Sequence, residues 1–148
     1  MAKKQFGFGI IGAGLISDFH AKAIEAIANA SLVGVYNINK NKADAFAARH
    51  NCIAYNTLEE MANAPDIDIV CICTPSGAHL DPAIVCIEGG KHCLIEKPLE
   101  VTLEKCDQII QAAKKAGVKL GVIFPSRFAE ASLQLKKSIE QNKFGDLT

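Results

Sequence analysis

The chain has 148 residues, of which 49% are hydrophobic and 22% charged, with sixteen basic side chains against sixteen acidic ones. This composition suits one ordinary globular domain, and zero formal net charge with no run of like charges argues against nucleic acid or an anionic membrane as partner. No apolar run approaches the ~20 residues of a membrane-spanning helix.

Lys3 and Lys4 precede an apolar stretch in the manner of a signal peptide. Gly7, Gly9, Gly12 and Gly14 interrupt that stretch, however, and it reads as strand plus turn. Residues 6–11 are apolar or glycine throughout, and Gly12-Ala13-Gly14-Leu15-Ile16-Ser17 follow at once. A helix should come next, with Ile16, Phe19, Ala23 and Ile27 on its inner face. Strand, glycine turn and helix together make a dinucleotide fingerprint, in which the first glycine allows the tight turn and the second lets a pyrophosphate approach the backbone. Gly12 and Gly14 fill those roles. Ser17 stands where the pattern asks for Gly or Ala, and its hydroxyl is expected to bond back to its own helix. An anion here is held by backbone N–H groups and the positive end of the helix dipole, making Gly12, Ala13, Gly14, Leu15 and Ile16 candidate cofactor contacts.

A second strand over residues 32–36 ends at Asn37, 23 residues after Gly14, about where an acidic side chain bonds the adenosine ribose of NAD. An amide bonds a ribose hydroxyl without repelling a 2′-phosphate, and Asn39, Lys40 and Lys42 follow within reach of one. NAD and NADP therefore both stay open as cofactors, and Asn and Lys after a strand are equally ordinary turn residues.

A helix is expected over residues 40–49 and a short strand over 52–55. Thr57-Leu58-Glu59-Glu60 is a capping box opening a brief helix. The near-continuous apolar run 67–73 marks a strand covered on both faces, followed by the turn Thr74-Pro75-Ser76-Gly77. A helix ending at Gly89-Gly90 leads to a strand over 93–95 that runs into Glu96-Lys97-Pro98. Thr102 then caps a helix with Leu103, Cys106, Ile110 and Ala113 inward, closed by Gly117. A sixth strand covers 119–124, and a last amphipathic helix, with Ala131, Leu135 and Ile139 inward, ends before Gly145.

Alternating strands and helices imply an α/β fold: a doubly wound, parallel Rossmann sheet of order 3-2-1-4-5-6. The six cysteines (Cys52, Cys71, Cys73, Cys86, Cys93 and Cys106) mostly lie in apolar patterns, which suits a reducing cytoplasm. Cys71 and Cys73 share a strand face, but a lone Cys-x-Cys is a poor zinc site, so no metal is expected.

In that strand order, at about 4.8 Å per strand, Lys97 stands roughly 10 Å from the glycine turn. A dinucleotide with its phosphates over Gly12–Gly14 carries its nicotinamide past Thr74-Pro75 toward Glu96-Lys97. The lysine ammonium is then placed to stabilise charge on the oxygen of a CH–OH group during hydride transfer, and Glu96 to bond a ribose hydroxyl.

With these motifs the chain resembles the glucose-fructose oxidoreductase, inositol dehydrogenase and rhizopine catabolism family, Gfo/Idh/MocA. The resemblance covers essentially the whole chain. It is carried by the segment from Gly9 to Ser17, by Cys73-Thr74-Pro75 followed by His79, by Glu96-Lys97-Pro98-Leu99, and by Gly121-Val122 leading to Arg127-Phe128. It implies an NAD(P)-dependent oxidoreductase acting on a sugar, polyol or related CH–OH group. Lys97 would be the catalytic lysine, Cys73, Thr74, Pro75, His79 and Glu96 would lie along the nicotinamide end, and Arg127 would help shape it. Without the resemblance, His79 reads as a neighbour of a helix N-cap and Arg127 as a surface arginine. Asn37 departs from the common Asp of the family.

Family members continue after the segment matching Phe144-Gly145-Asp146-Leu147 into a mostly β domain with the substrate pocket, the dimer surface and usually a catalytic His. The four histidines here (His20, His50, His79 and His92) all fall in the cofactor domain. The expectation is therefore one cofactor domain over residues 1–148, with a linker toward an absent substrate domain starting at about 144–148. Such a chain is expected to be inactive alone and to self-associate through the apolar surface where that domain docks. The competing reading is a non-catalytic, redox-sensing NAD(P)-binding module. Methyl transfer from S-adenosylmethionine uses a similar turn but gives no reason for Glu96-Lys97-Pro98.

Overall fold

Each apolar run is separated from the next by a stretch long enough to cross back over a sheet, so successive strands can lie parallel. In the computed structural model, which describes residues 5–146, they do. The strands are β1 (Phe6–Ile11), β2 (Ala30–Tyr36), β3 (Ile53–Ala54), β4 (Ile69–Ile72), β5 (His92–Glu96) and β6 (Leu120–Ile123). They form a six-stranded sheet of order β3-β2-β1-β4-β5-β6, every pair parallel, as the sequence pattern requires. The helices are α1 (Leu15–Glu25), α2 (Lys40–His50), α3 (Leu58–Ala62), α4 (Leu80–Glu88), α5 (Leu103–Ala116) and α6 (Glu130–Glu140), with a 3-10 turn over Pro125–Phe128. Lys3, Lys4 and the far end of the expected linker, residues 147 and 148, lie outside the described residues.

Side chains alternate across the sheet, so neighbours in one strand feed opposite layers. Ile11, Val70, Ile72 and Ile95 pack with Met61, Ile87 and Ile109 of α3, α4 and α5. Ile10, Val35, Cys71 and Cys73 pack with Ala21, Ile24 and Phe46 of α1 and α2. Cys71 and Cys73 thus share a face as their spacing demands. The expected caps are present: Thr57 and Glu60 make a reciprocal capping box, Thr102 Oγ1 accepts the Lys105 N–H, and Gly117 ends α5 in the left-handed region. Among the described residues no helix is long and apolar enough to cross a membrane.

Three helix faces differ from expectation. In α1 the buried residues are Ser17, Ala21 and Ile24, while Ile16, Phe19, Ala23 and Ile27 are exposed. The helix lies close to the sheet, and closeness selects small side chains over large apolar ones. In α5 the buried residues are Ile109 and Ala113, and Leu103, in the first turn, is exposed. In α6 nothing is buried, and Ala131, Leu135 and Ile139 face outward with Leu133. An amphipathic stripe is buried only where an element covers it, and no described element covers this one.

Candidate functional site

At the carboxyl ends of the strands a cavity of about 930 Å³ runs from the glycine turn to the end of β5. Open parallel sheets bind ligands at this edge, where the order reverses between β1 and β4. Gly12 has φ of +100°, and a Cβ on it would sit 2.7 Å from the carbonyl oxygen of Cys73, so only glycine fits between β1 and β4. Gly14 differs: a Cβ there would meet nothing within 4 Å. No packing among the described residues demands that glycine, and its bare backbone leaves room for a ligand to approach. Gly14 is also the N-cap of α1 and offers no capping side chain, which leaves the positive end of the helix free for an anion. These features fit the pyrophosphate of a dinucleotide.

Asn37, at the end of β2, accepts the Ala13 N–H on Oδ1 at 3.2 Å and donates from Nδ2 to the carbonyl oxygen of Asn39 at 3.0 Å. It braces the glycine turn while lining the cavity. Asn39 caps α2, its Oδ1 accepting the Lys42 N–H at 3.2 Å. Lys40 is engaged by Asp44 at 2.7 Å and the Ala54 carbonyl at 3.2 Å. Lys42 lines the cavity, and among the described residues no acceptor holds its ammonium.

At the far end Glu96 is 8% exposed. Its Oε1 lies 2.9 Å from Nε2 of His20 on α1, and its Oε2 accepts the backbone N–H of Lys97 at 3.2 Å. Lys97 is exposed, and among the described residues no acceptor holds its ammonium. The Thr74 hydroxyl donates to the Ala78 carbonyl at 2.8 Å. His79 is 1% exposed; its Nδ1 lies 2.9 Å from the Pro98 carbonyl oxygen and its Nε2 2.9 Å from that of Thr74. Glu100 closes the start of α4, accepting the N–H groups of His79, Leu80 and Val101. Burial pushes its carboxyl upward, but those three N–H groups outweigh burial and hold it below its ordinary value. Burial pushes the Cys73 thiol, at the cavity wall, far above the usual range, which disfavours its thiolate form.

Gly12, Ala13, Gly14, Ile16, Asn37, Lys42, Cys73, Thr74, Pro75, Glu96 and Lys97 line this one cavity. Leu15, Asn39, His79 and Arg127 are not in its lining. Leu15 opens on a second cleft with Asp18 and Phe19, and Arg127 is exposed in the turn after Phe124. The cavity also takes in Tyr36, Ile38, Leu58, Asp81 and Pro125, which sequence reasoning missed. Ile38 is 94% exposed beside Asn37, and that apolar residue in a polar turn was the available signal. His20 was missed as a partner of Glu96 because 76 positions separate them and no local pattern spans that gap.

Residues 6–124 match the oxidoreductase family with an NAD-binding Rossmann fold, GFO_IDH_MocA. An inositol 2-dehydrogenase of Rhizobium meliloti is 33% identical over 140 residues, which are 95% of this chain and 42% of that protein. A scyllo-inositol 2-dehydrogenase (NADP(+)) of Bacillus subtilis is 33% identical over 135 residues, 90% of this chain and 41% of that one. Among solved structures, the WlbA dehydrogenase of Chromobacterium violaceum, in complex with NADH and UDP-GlcNAcA, superimposes with a TM-score of 0.90 at 31% identity, covering 98% of this chain and 42% of that one. The chain thus spans about two-fifths of the length of the relatives it matches.

Proposed function

Because the chain belongs to the Gfo/Idh/MocA oxidoreductase family and contains its NAD-binding Rossmann domain, we propose that it holds the nicotinamide cofactor for hydride exchange with a CH–OH group of a sugar, polyol or related substrate. The observation that carries this reading is the single cavity joining an uncapped glycine turn to an unpaired lysine four strand ends away in sequence. Relatives named for inositol and sugar substrates support the substrate class.

In this reading the start of α1 holds the pyrophosphate, and Ile38 and Leu58 supply apolar walls for the adenine. Asn37 and Lys42 lie at the adenosine ribose, where a 2′-hydroxyl finds an amide and a 2′-phosphate finds an ammonium. Glu96 bonds the ribose next to the nicotinamide. A bound nicotinamide supplies the hydride donor or acceptor. In the reducing direction Lys97 donates a hydrogen bond to the substrate carbonyl oxygen and stabilises the negative charge that grows there as hydride adds to the carbon, the oxygen then taking up a proton; in the oxidising direction the hydroxyl gives up that proton as hydride leaves the carbon. The surface beyond Lys97, including the uncovered face of α6, is where the remainder of a family member would complete the substrate pocket.

Calorimetric titration of the chain with NAD, NADH, NADP and NADPH tests the binding half of the proposal; no heat from any of the four at millimolar concentration would overturn it. In a protein that includes the remaining three-fifths, Lys97→Ala should lower kcat by about 100-fold or more with cofactor affinity kept. Turnover indifferent to that change would favour the redox-sensing module instead.

A further inference from the structure

His20 takes no part in the chemistry above and does not line the cavity, yet among the described residues it makes the one side-chain hydrogen bond to Glu96. We propose that His20 is a positioning residue: its imidazole holds the Glu96 carboxylate in the orientation that receives the nicotinamide ribose and, through Glu96, sets the backbone that carries Lys97. The inference rests on the cofactor reading just given.

The His20 and Glu96 side chains are only 11% and 10% exposed. Burying a polar side chain is costly unless a partner replaces its lost hydration, and a buried polar contact adds little net stability. An arrangement of this kind is therefore poorly explained by stability alone. The geometry gives a better account. Oε1 is taken by His20 at 2.9 Å and Oε2 by the Lys97 N–H at 3.2 Å. An ionised carboxylate offers about four acceptor sites, so two remain, on a group that lines the cavity. A pair of adjacent ribose hydroxyls presents two donors. Without His20, nothing else in the described residues bonds Oε1, and the carboxylate is free to rotate about its last torsion away from the ribose.

The pair also sets a spacing. His20 belongs to α1, whose first turn faces the pyrophosphate site, and Glu96 ends β5, beside the lysine. Their contact joins directly the element that holds the pyrophosphate to the element that carries the nicotinamide end of the site, across two strand positions of the sheet. His20 thus acts on the nicotinamide half of the site while leaving the adenosine half to the glycine turn and Asn37.

That division makes the inference testable with two ligands on the 148-residue chain. ADP occupies only the adenosine and phosphate half; NADH occupies both. Titrations compare the unaltered chain with His20→Phe, which keeps a ring but removes the donor, and His20→Gln, which restores an N–H, with melting temperatures measured alongside. The expected result is ADP affinity unchanged within about twofold in all three, NADH affinity about tenfold weaker in His20→Phe, and most of that loss recovered in His20→Gln. Combining His20→Phe with Glu96→Gln should weaken NADH no more than Glu96→Gln alone, because both act on one contact. His20→Leu repeats the comparison if the phenylalanine variant does not fold. Equal loss of ADP and NADH affinity would make His20 a general structural residue and overturn the inference. Unchanged NADH affinity in a folded variant would overturn it as well, while leaving the cofactor reading intact. Binding of neither ligand by the unaltered chain would overturn both.

Discussion

The imidazole Nδ1 of His79 lies 2.9 Å from the carbonyl oxygen of Pro98, so the residue after Lys97 is tied to the start of α4. On the other side of the lysine, Glu96 is tied to α1 by His20. A long, exposed side chain with four rotatable bonds is thereby mounted on backbone held at both neighbours, the kind of rigid seat a catalytic group requires.

Replacing His79 by Leu removes the ring whose nitrogens face two inward-facing carbonyls, those of Pro98 and Thr74, and with it the N–H that one of them accepts. The expected cost is about 2 to 3 kcal/mol of unfolding free energy, read from the midpoint and slope of a urea titration. A loss below about 0.5 kcal/mol would mean the loop is held by other contacts.

Glu100 gives the fold a dependence on acid. Its carboxyl sits below its ordinary value of 4.5 because its charged form accepts three N–H groups that outweigh its burial. A depressed carboxylate stabilises the folded state fully above its unfolded value and loses that contribution as pH falls through the folded one. Melting temperatures between pH 7 and pH 3 should therefore drop below about pH 4.5, and more shallowly in Glu100→Gln, which starts lower. Parallel curves for the two proteins would refute the assignment.

Cofactor choice is predicted to turn on Asn37 and Lys42. Asn37→Asp places a negative charge where a 2′-phosphate would lie, so NADP(H) affinity should fall by about tenfold or more while NAD(H) affinity changes little. Lys42→Ala should likewise weaken only NADP(H). Equal effects on both cofactors, measured by titration, would place the adenosine ribose elsewhere. The Asn37 brace on Ala13 is an acceptor role that an Asp oxygen can keep, so the turn itself should survive the first change.

The sheet order and most of the cavity were legible in the sequence because both follow from local signals. Apolar runs of strand length, Gly12 and Gly14, and the break at Glu96-Lys97-Pro98 each declare themselves within a few residues. Relations between distant segments did not declare themselves. His79 reads from sequence as a neighbour of the nicotinamide or of a helix cap, and only the fold shows its two nitrogens facing carbonyls 19 positions away and five positions away. Helix faces failed for a different reason. Hydrophobicity marks Ile16 and Phe19 as inward, whereas the distance between helix and sheet selects Ser17 and Ala21, and distance is a property of the assembled layers. The periodicity of α6 marks a real apolar stripe but not its burial, because periodicity identifies a surface that wants cover without identifying what provides it.

Ser17 itself offers the sharpest test of that close packing. Its side chain is fully buried and its Oγ has no hydrogen-bond partner in bonding geometry among the described residues, contrary to the back-bond to its own helix that the sequence suggested. It lies beside the Cys73 thiol, whose ionisation it favours only weakly against the dominant effect of burial. A buried hydroxyl without a partner carries an uncompensated desolvation cost, and Ala at this place removes the hydroxyl while keeping the Cβ that packs on the sheet. Ser17→Ala should therefore raise the unfolding free energy by about 1 kcal/mol and leave cofactor affinity unchanged. Ser17→Val, which adds bulk where α1 meets β1, should lower it by about 1 to 3 kcal/mol. Destabilisation by Ala would show that the hydroxyl has found a partner, and tolerance of Val would show that the helix stands farther from the sheet than the burial of Ser17 and Ala21 indicates.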